Sequence, residues 1–222
     1  IPNLHRSMKV IIIGSSGHAK VIIDAINKGG HYEVVGLIDD FRPIGEMTMN
    51  VPVIGKVNDI ESLKEINCGW IIGIGDNKGR HKIYSKLMEL RLSYINVVHP
   101  SSVIGNDVDM GVGNFIAAGA IINSGTVIGN HCIVNTGAQL DHDNKIDDFV
   151  SIAPKVALAG NVTVGYGTYI GMGANVKEKI VIGRQSVIGA GSMVLNDVAR
   201  FKVAYGSPCV EQRSREMRET FL

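Results

Sequence analysis

The sequence predicts a Rossmann-like α/β domain followed by a parallel β-helix built on a six-residue repeat. Three observations carry this reading. Apolar runs alternate with helical stretches from Met8 to Val98. From Val103 to Val198 the chain then repeats every six residues through sixteen hexads without insertion, from VIGNDV and DMGVGN to VIGAGS and MVLNDV. Aromatic residues make up only 5% of the 222-residue chain, so the core must be aliphatic, as a narrow solenoid interior is.

The N-terminal elements follow in order. Ile1–Ser7, ahead of Met8, reads as a leader left over from expression and is set aside. Lys9–Gly14 is a buried strand, and Ser15–Lys28 has the helical period through Val21, Ile22, Ala25 and Ile26. Tyr32–Asp39 is a second strand, Asn58–Glu65 a short helix and Trp70–Gly75 a third strand. Asn77–Leu92 is a long helix with Ile83, Leu87 and Leu90 on one face, and Ile95–Val98 is a last strand. Strands alternating with helices give a parallel sheet with crossover helices. The domains are residues 8–99 and 100–206, with a tail over 207–222 that is helical through Gln212–Phe221.

Within each hexad the second place is always Ile, Leu, Val or Met. The sixth is mostly small or β-branched, as in Ala120, Thr126, Cys132, Ala138 and Val162. The third to fifth places are rich in Gly, Asn and Asp, which turn a chain tightly. A short strand followed by a turn, repeated, is one side of a β-helix coil. With three hexads per coil, residues 18 apart stack at the inter-strand spacing of about 4.8 Å.

Composition narrows the function classes. A net charge of +1 with both signs dispersed gives no electrostatic footprint for nucleic acid. No apolar run reaches spanning length, so membrane insertion is not expected. Cys68, Cys132 and Cys209 are an odd, widely spaced set that reads as reduced thiols in a cytoplasmic protein.

Ligands of open α/β sheets sit at the carboxyl ends of the strands. Three loops there carry polar or flexible residues. Gly14-Ser15-Ser16-Gly17-His18 offers close backbone approach and the free N–H groups of the following helix to a phosphate. Asp39-Asp40 ends the second strand, where carboxylates suit ribose hydroxyls, and Gly73–Asn77 forms the third loop around Gly75. Together they describe a nucleotide-diphosphate pocket. A dinucleotide site is disfavoured, because Gly14–Gly17 is G-x-x-G and the domain is half a full Rossmann fold. The same residues also fit a plain glycine turn, a loop-lining histidine and a solvated strand end.

In the repeat, one turn stands out. The hexad QLDHDN puts His142 at its fourth place between Asp141 and Asp143. A neutral imidazole there can take a proton near pH 7, and a carboxylate on its other nitrogen fixes the tautomer. Asp143 is the expected partner, since Asp141 falls where Gly, Ala, Asn or Asp recurs. A hydrated surface histidine between two acids is the plainer alternative. The 18-residue column sets His142 on Ser124 and Gly160, whose missing side chain leaves a recess, and a second column pairs Met172 with Ala190. His131 lies at a different corner and is read as structural. The γ-type carbonic anhydrases, also built as β-helices, hold their metal with a trio of histidines; the repeat here has only His131 and His142, so no metal is expected.

These motifs resemble those of the bacterial hexapeptide-repeat sugar acetyltransferases, the group of sialic-acid O-acetyltransferases and UDP-4-amino-sugar N-acetyltransferases. The resemblance runs from Met8 onward through GSSGHAKVIIDAI, GLIDDF, IIGIGDN, VNTGAQLDHDNKIDDFVSIAPKVALAGNVTVG and the closing VIGAGSMVLNDV and GSP. It implies a left-handed β-helix, a homotrimer, and acetyl-CoA bound in grooves between neighbouring helices as co-substrate. It assigns His142 as general base and Asp143 as its orienting acid, where amino-sugar relatives commonly carry Glu. Nucleotide-sugar contacts carry over to Ser16, Gly17, His18, Asp39, Asp40 and Gly75, and acetyl-CoA contacts to Gly160, Met172, Ala190 and Ser151. The ending departs: Gly206-Ser207-Pro208-Cys209 stands where G-x-P-A-K is usual, so the family's basic residue is not at that place.

The expected reaction is direct acetyl transfer from acetyl-CoA to the amine of a UDP-linked 4-amino-4,6-dideoxy sugar, with Gly160 N–H as an oxyanion donor. Two alternatives stay open. One is O-acetylation of a sialic or related acid, with Arg80 available for its carboxylate. The other is a non-catalytic nucleotide-binding module on a structural solenoid.

Overall fold

The computed structural model describes residues 7–64, 68–216 and 219. Residues 1–6 of the expected leader therefore lie outside the described residues, as do the end of the predicted short helix at 65 and most of the predicted helical tail beyond 216.

The first strand, β1 (Met8–Ile13), carries Val10, Ile11, Ile12 and Ile13, all essentially without solvent contact. Such an unbroken apolar run suits a central parallel strand covered on both faces. It lies between β2 (Tyr32–Ile38) and β5 (Gly69–Ile72), pairing in parallel with both. Between β1 and β2 in the chain comes α1 (Gly17–Gly29), which buries Ala19, Ile22, Ile23, Ala25 and Ile26. It stops at Gly30, whose left-handed φ of 70° lets its N–H reach the Ile26 carbonyl at 3.1 Å.

Residues 40–57, where no element is predicted, contain β3 (Met47–Thr48) and β4 (Val51–Gly55). They form an antiparallel hairpin whose turn residues Met49 and Asn50 both have positive φ, and β4 adds to the sheet beside β2. The sheet order is thus β3-β4-β2-β1-β5. The predicted short helix is a 3-10 turn at Val57–Asp59 running into α2 (Ile60–Leu63). The long helix α3 spans Asn77–Leu87 and tightens to a 3-10 turn at Met88–Leu90.

The predicted strand ending at Val98 belongs elsewhere. Val97–Val98 pairs in parallel with Phe115–Ile116, 18 residues on, and so opens the solenoid rather than closing the N-terminal sheet. The β-helix has three faces. The first holds the strands from Val103–Ile104 through Gln139–Leu140 and Ala157–Leu158 to Met193–Val194. The second runs from Asp109–Met110 to Val181–Ile182, and the third from Val97–Val98 to Val187–Ile188.

Each coil takes three hexads: Ile121 faces Gln139, Val127 faces Lys145 and Ile133 faces Ser151. The hexad chemistry follows from the coil. Second-place residues such as Ile122, Leu140, Ile152 and Ile170 are wholly buried, each worth roughly 1.5–3 kcal/mol on leaving water. Sixth-place Ala120, Ala138, Val162 and Ala174 fill the corners of the interior. The fifth place takes a positive φ in every hexad from Asp107 to Gly191, and that is why Gly, Asn and Asp crowd there.

The third face is covered by the N-terminal domain. Phe115, Ala117 and Ile133 join the buried cluster of α1 and β1. Near the end the period breaks: Val198 bridges Ile182 and Val203 pairs with Val187, sixteen residues apart. The start of the predicted helical tail is corrected as well. Lys202–Gly206 adds in parallel to the sheet edge left at Val187–Ile188, and Cys209–Ser214, which includes Gln212, is a strand because the new edge at Lys202–Gly206 offers it unpaired backbone groups in turn.

Candidate active site

His142 sits at the corner between the first and second faces, with 56% of its side chain exposed. The turn is built from below. Asn144, fully buried, donates to the Asp141 carbonyl at 2.6 Å, and its Oδ1 accepts from Val162 N–H at 2.8 Å. Asp141 Oδ1 accepts from His142 N–H at 2.9 Å and from Asn123 Nδ2 at 3.0 Å. That leaves Asp143, in the left-handed region at φ 60°, to place its Oδ2 2.7 Å from His142 Nδ1. The expected pair is formed, and Asp141 serves the backbone.

Nδ1 donating to the carboxylate leaves the lone pair on Nε2. The Asp143 hydrogen bond holds the imidazole pKa above its ordinary value, with Asp141 adding a smaller charge effect. The ring lies over Gly160. A Cβ there would come within 2.6 Å of both Cε1 and Nε2, so the recess read from the 18-residue column is filled by the imidazole. The Gly160 N–H has no acceptor among the described residues. Beside this corner a groove of about 460 Å³ runs along the first face, lined by Gln139, Leu140, Asp141, Ala157, Leu158 and Asn175 among others. Met172, 57% exposed, and Ala190 stand at the opposite edge of the same face.

Ser151 is a correction. It lies on the third face, 4% exposed, and its hydroxyl accepts from Arg80 Nη2 at 2.9 Å, so the groove on the first face is out of its reach. Arg80 is the second. It is neither a surface charge nor free for a substrate carboxylate, since it is 1% exposed with every donor engaged. A signal for this was present: the α3 stripe of Ile83 and Leu87, continued back one turn, reaches Arg80. Asn77, also buried, donates to the Gly167 carbonyl at 2.6 Å across the same seam.

The three N-terminal loops come together at the strand ends. Ser15 donates to Asp39 Oδ2 through both its N–H at 3.1 Å and its hydroxyl at 2.5 Å. Burial pushes the Asp39 carboxyl up, but the donors from Ser15, Phe41 and Arg42 outweigh it and hold the pKa below the ordinary value. Asp40 is exposed and its Oδ1 accepts from Val57 N–H at 2.8 Å. Both acids thus brace the loop. Ser16 and Gly17 are exposed at the start of α1, whose first turn holds no acid, leaving its N–H groups facing outward.

His18 packs edge-on against Phe115, rings 5.3 Å apart, and its Nε2 is buried without a partner. Burial, then the nearby Arg80, drive its pKa down to about 3, so the ring is neutral. Gly75 lies beside it: a Cβ there would meet His18 at 3.7 Å. His131 is structural as expected, 1% exposed and stacked on Phe149 at 5.1 Å. The three cysteines are free thiols, and burial pushes Cys132 up to about 12, which leaves it inert as a nucleophile.

Known proteins resemble this chain in sequence and fold. Residues 9–87 match the family described as the PglD N-terminal domain. A stretch of 113 residues is 34% identical to UDP-N-acetylbacillosamine N-acetyltransferase of Bacillus subtilis, covering 49% of this chain and 51% of that protein, so the match spans about half of that curated relative. Over 93% of its length the chain superposes on 97% of perosamine N-acetyltransferase from Caulobacter crescentus, at 34% identity and a TM-score of 0.88. That structure is a histidine-to-asparagine variant in complex with CoA and GDP-perosamine. The acetyltransferase domain of PglB from Neisseria gonorrhoeae, in complex with acetyl coenzyme A, is matched along its entire length by 93% of this chain, at 30% identity and a TM-score of 0.87. With the Rossmann-like domain, the left-handed β-helix and the histidine corner all in place, the chain belongs to the PglD-type family of acetyl-CoA-dependent sugar N-acetyltransferases.

Proposed function

We propose that this protein transfers the acetyl group of acetyl-CoA to the amino group of a UDP-linked 4-amino-4,6-dideoxy sugar, with His142 as general base. The observation that carries the reading is the 2.7 Å bond from His142 Nδ1 to Asp143, which leaves Nε2 as a base over Gly160 beside an open groove. The sugar nitrogen attacks the thioester carbonyl carbon while Nε2 takes the nitrogen's proton. The unpaired Gly160 N–H is the donor for the oxyanion. Collapse breaks the C–S bond, and the proton on Nε2 passes to the departing sulfur, giving the N-acetyl sugar and CoA.

The N-terminal loops hold the nucleotide: the start of α1 at Ser16 and Gly17 takes a phosphate, and His18, Asp39, Asp40 and Gly75 surround the remainder. Met172 and Ala190 line the acetyl-CoA side. The nucleotide loops pack toward the third face and His142 stands between the first and second, so a neighbouring subunit completes the site in a homotrimer. Outward apolar residues on the first and second faces, Val103, Val127, Val181 and Met193, support that assembly. Among the described residues no helix is long and apolar enough to cross a membrane. The reading places the enzyme in the cytoplasm, where acetyl-CoA is available.

The Bacillus relative is named for a UDP-sugar and the Caulobacter relative binds GDP-perosamine, so the nucleotide is the point to test. With acetyl-CoA present, free thiol is expected to appear with a UDP-4-amino-4,6-dideoxy sugar and not with sialic acid. Release with GDP-perosamine alone would move the assignment to a GDP-sugar. Silence with every amino sugar would favour a non-catalytic binding module.

Asp143→Asn supplies a pH test. The neutral imidazole is the active form, so kcat/KM falls as pH drops through the His142 pKa. Asp143 is the largest cause holding that pKa up. The variant's acid limb should therefore move to lower pH, with a plateau reduced by roughly 10- to 100-fold as the tautomer is freed. An unmoved limb in the pH–rate profile would remove Asp143 from this role.

A further inference from the structure

Among the side chains that cross the seam between the two domains, Arg80 carries a charge that a simple contact does not need. Arg80 is 1% exposed, and no carboxylate lies within ion-pair distance of it among the described residues. Burying a cation without a partner costs several kcal/mol, and an apolar side chain would fill a seam more cheaply. Arg80 meets that cost with five bonds to neutral acceptors. Nε donates to the His131 carbonyl at 2.7 Å, and Nη2 donates to the Phe149 carbonyl at 3.3 Å and to Ser151 Oγ at 2.9 Å. Nη1 donates to the carbonyls of Ile74 and Gly75, each at 3.0 Å.

The acceptors divide into two groups. His131 and Phe149 are the same corner of successive coils, 18 residues apart, and Ser151 follows on the third face. Ile74 and Gly75 belong to the third loop at the strand ends. The guanidinium thus ties that loop to two successive coils of the solenoid. Its planar fork also fixes direction, which a lysine's single nitrogen cannot do.

The direction has a consequence for the backbone. In a trans peptide the N–H points opposite to the carbonyl. With the Ile74 and Gly75 carbonyls drawn to Arg80, the N–H groups of Gly75 and Asp76 face away from it. Neither has an acceptor among the described residues. The Asp76 carboxylate does not turn back on them, because its Oδ2 accepts the Gly79 N–H at 2.6 Å. Beside Gly75 lies His18, whose Nε2 is likewise buried without a partner. Unused donors of the loop and an unused ring nitrogen are therefore neighbours, and Asp76 Oδ1 there is also buried without a partner.

We propose that Arg80 is a positioning residue for the acceptor substrate: gripping the Ile74 and Gly75 carbonyls from the solenoid, it aims the Gly75 and Asp76 N–H groups at the diphosphate of the bound nucleotide sugar. The inference rests on the nucleotide-sugar reading above. It makes the loop's aim, and not only the domain contact, depend on the guanidinium. A misplacement of about 1 Å at such a clamp lowers turnover by up to roughly 100-fold.

The test compares the parent protein with Arg80→Lys, Arg80→Met, Arg80→Ala and Ser151→Ala. Thermal unfolding checks the fold, and calorimetry measures binding of UDP, GDP and CoA. In Arg80→Lys and Arg80→Met, affinity for the preferred diphosphate and kcat/KM for the nucleotide sugar should fall by about 10- to 100-fold. CoA affinity should stay at the parental level, which general unfolding would not allow. Added guanidinium should restore diphosphate binding to Arg80→Ala but not to Arg80→Lys, whose side chain fills the space. Should the Arg80 variants fail to fold, Ser151→Ala, which removes one acceptor, must show a smaller loss of the same kind. Folded variants that bind the diphosphate as the parent does would overturn the role of Arg80 alone. A parent that binds neither UDP nor GDP would overturn the nucleotide-sugar reading and this inference together.

Discussion

Replacing His142 with asparagine is expected to lower kcat by about 10²- to 10⁴-fold, the usual contribution of a positioned general base. KM for both substrates should change little, because the imidazole acts on a proton that moves only during the reaction. The fold should survive. His142 is mostly exposed at a corner, and among the described residues its ring has a single hydrogen bond, to Asp143, while the turn itself hangs on Asn144 and Asp141 below. Asparagine is small enough to lie over Gly160 without strain and cannot accept a proton near neutral pH. Steady-state release of CoA, read alongside a melting curve, decides the matter. A folded variant turning over at the parental rate would remove His142 from the chemistry and return the corner to a hydrated surface histidine.

The second large effect is expected at Gly160. Its backbone lies outside the left-handed region, so valine can adopt it, and glycine is needed there for space rather than for conformation. A Cβ would stand 2.6 Å from the imidazole edge. Gly160→Val must therefore push the ring off the corner, break its bond to Asp143, and crowd the mouth of the groove. Turnover should drop on the order of 10²-fold, with a rise in KM for acetyl-CoA that His142→Asn does not share. A melting temperature near the parent's would confirm that the loss is local. Parental kinetics in Gly160→Val would mean that the ring works from some other position than over this glycine.

These two residues also mark what could be read in the chain before folding. The hexad repeat makes columns of 18 inevitable, because a strand and a turn of constant length return the chain to the same corner in every coil. His142 over Gly160 follows from counting. Asp143 as partner followed from the same regularity, since Asp141 occupies a place that recurs for structural reasons. The buried second and sixth places were legible for the same cause: one side of a short strand must face the interior.

Other features were hidden by the kind of signal they carry. The hairpin at Met47–Gly55 has short strands and a turn without glycine, so neither period nor turn chemistry announces it. Val97–Val98 reads equally well as the end of one sheet or the start of the next, and only its pairing with Phe115–Ile116 decides. The tail carries a helical pattern, yet the open edge of Lys202–Gly206 recruits its start as a strand. Ser151 falls at a face whose side was visible, but which face the N-terminal domain covers was not.

By itself, then, the sequence determined a sheet domain joined to a solenoid, its coil length, and the one corner where an imidazole meets a carboxylate, because these depend on local period and spacing. Tertiary structure alone decided that Arg80 is buried with five acceptors from two domains, that Asp39 and Asp40 brace their loop, and that Ser151 turns from the groove. The physical reason is common to all three. A polar group's role is set by which partners surround it once water has been excluded, and those partners are brought together only by the packing of distant segments.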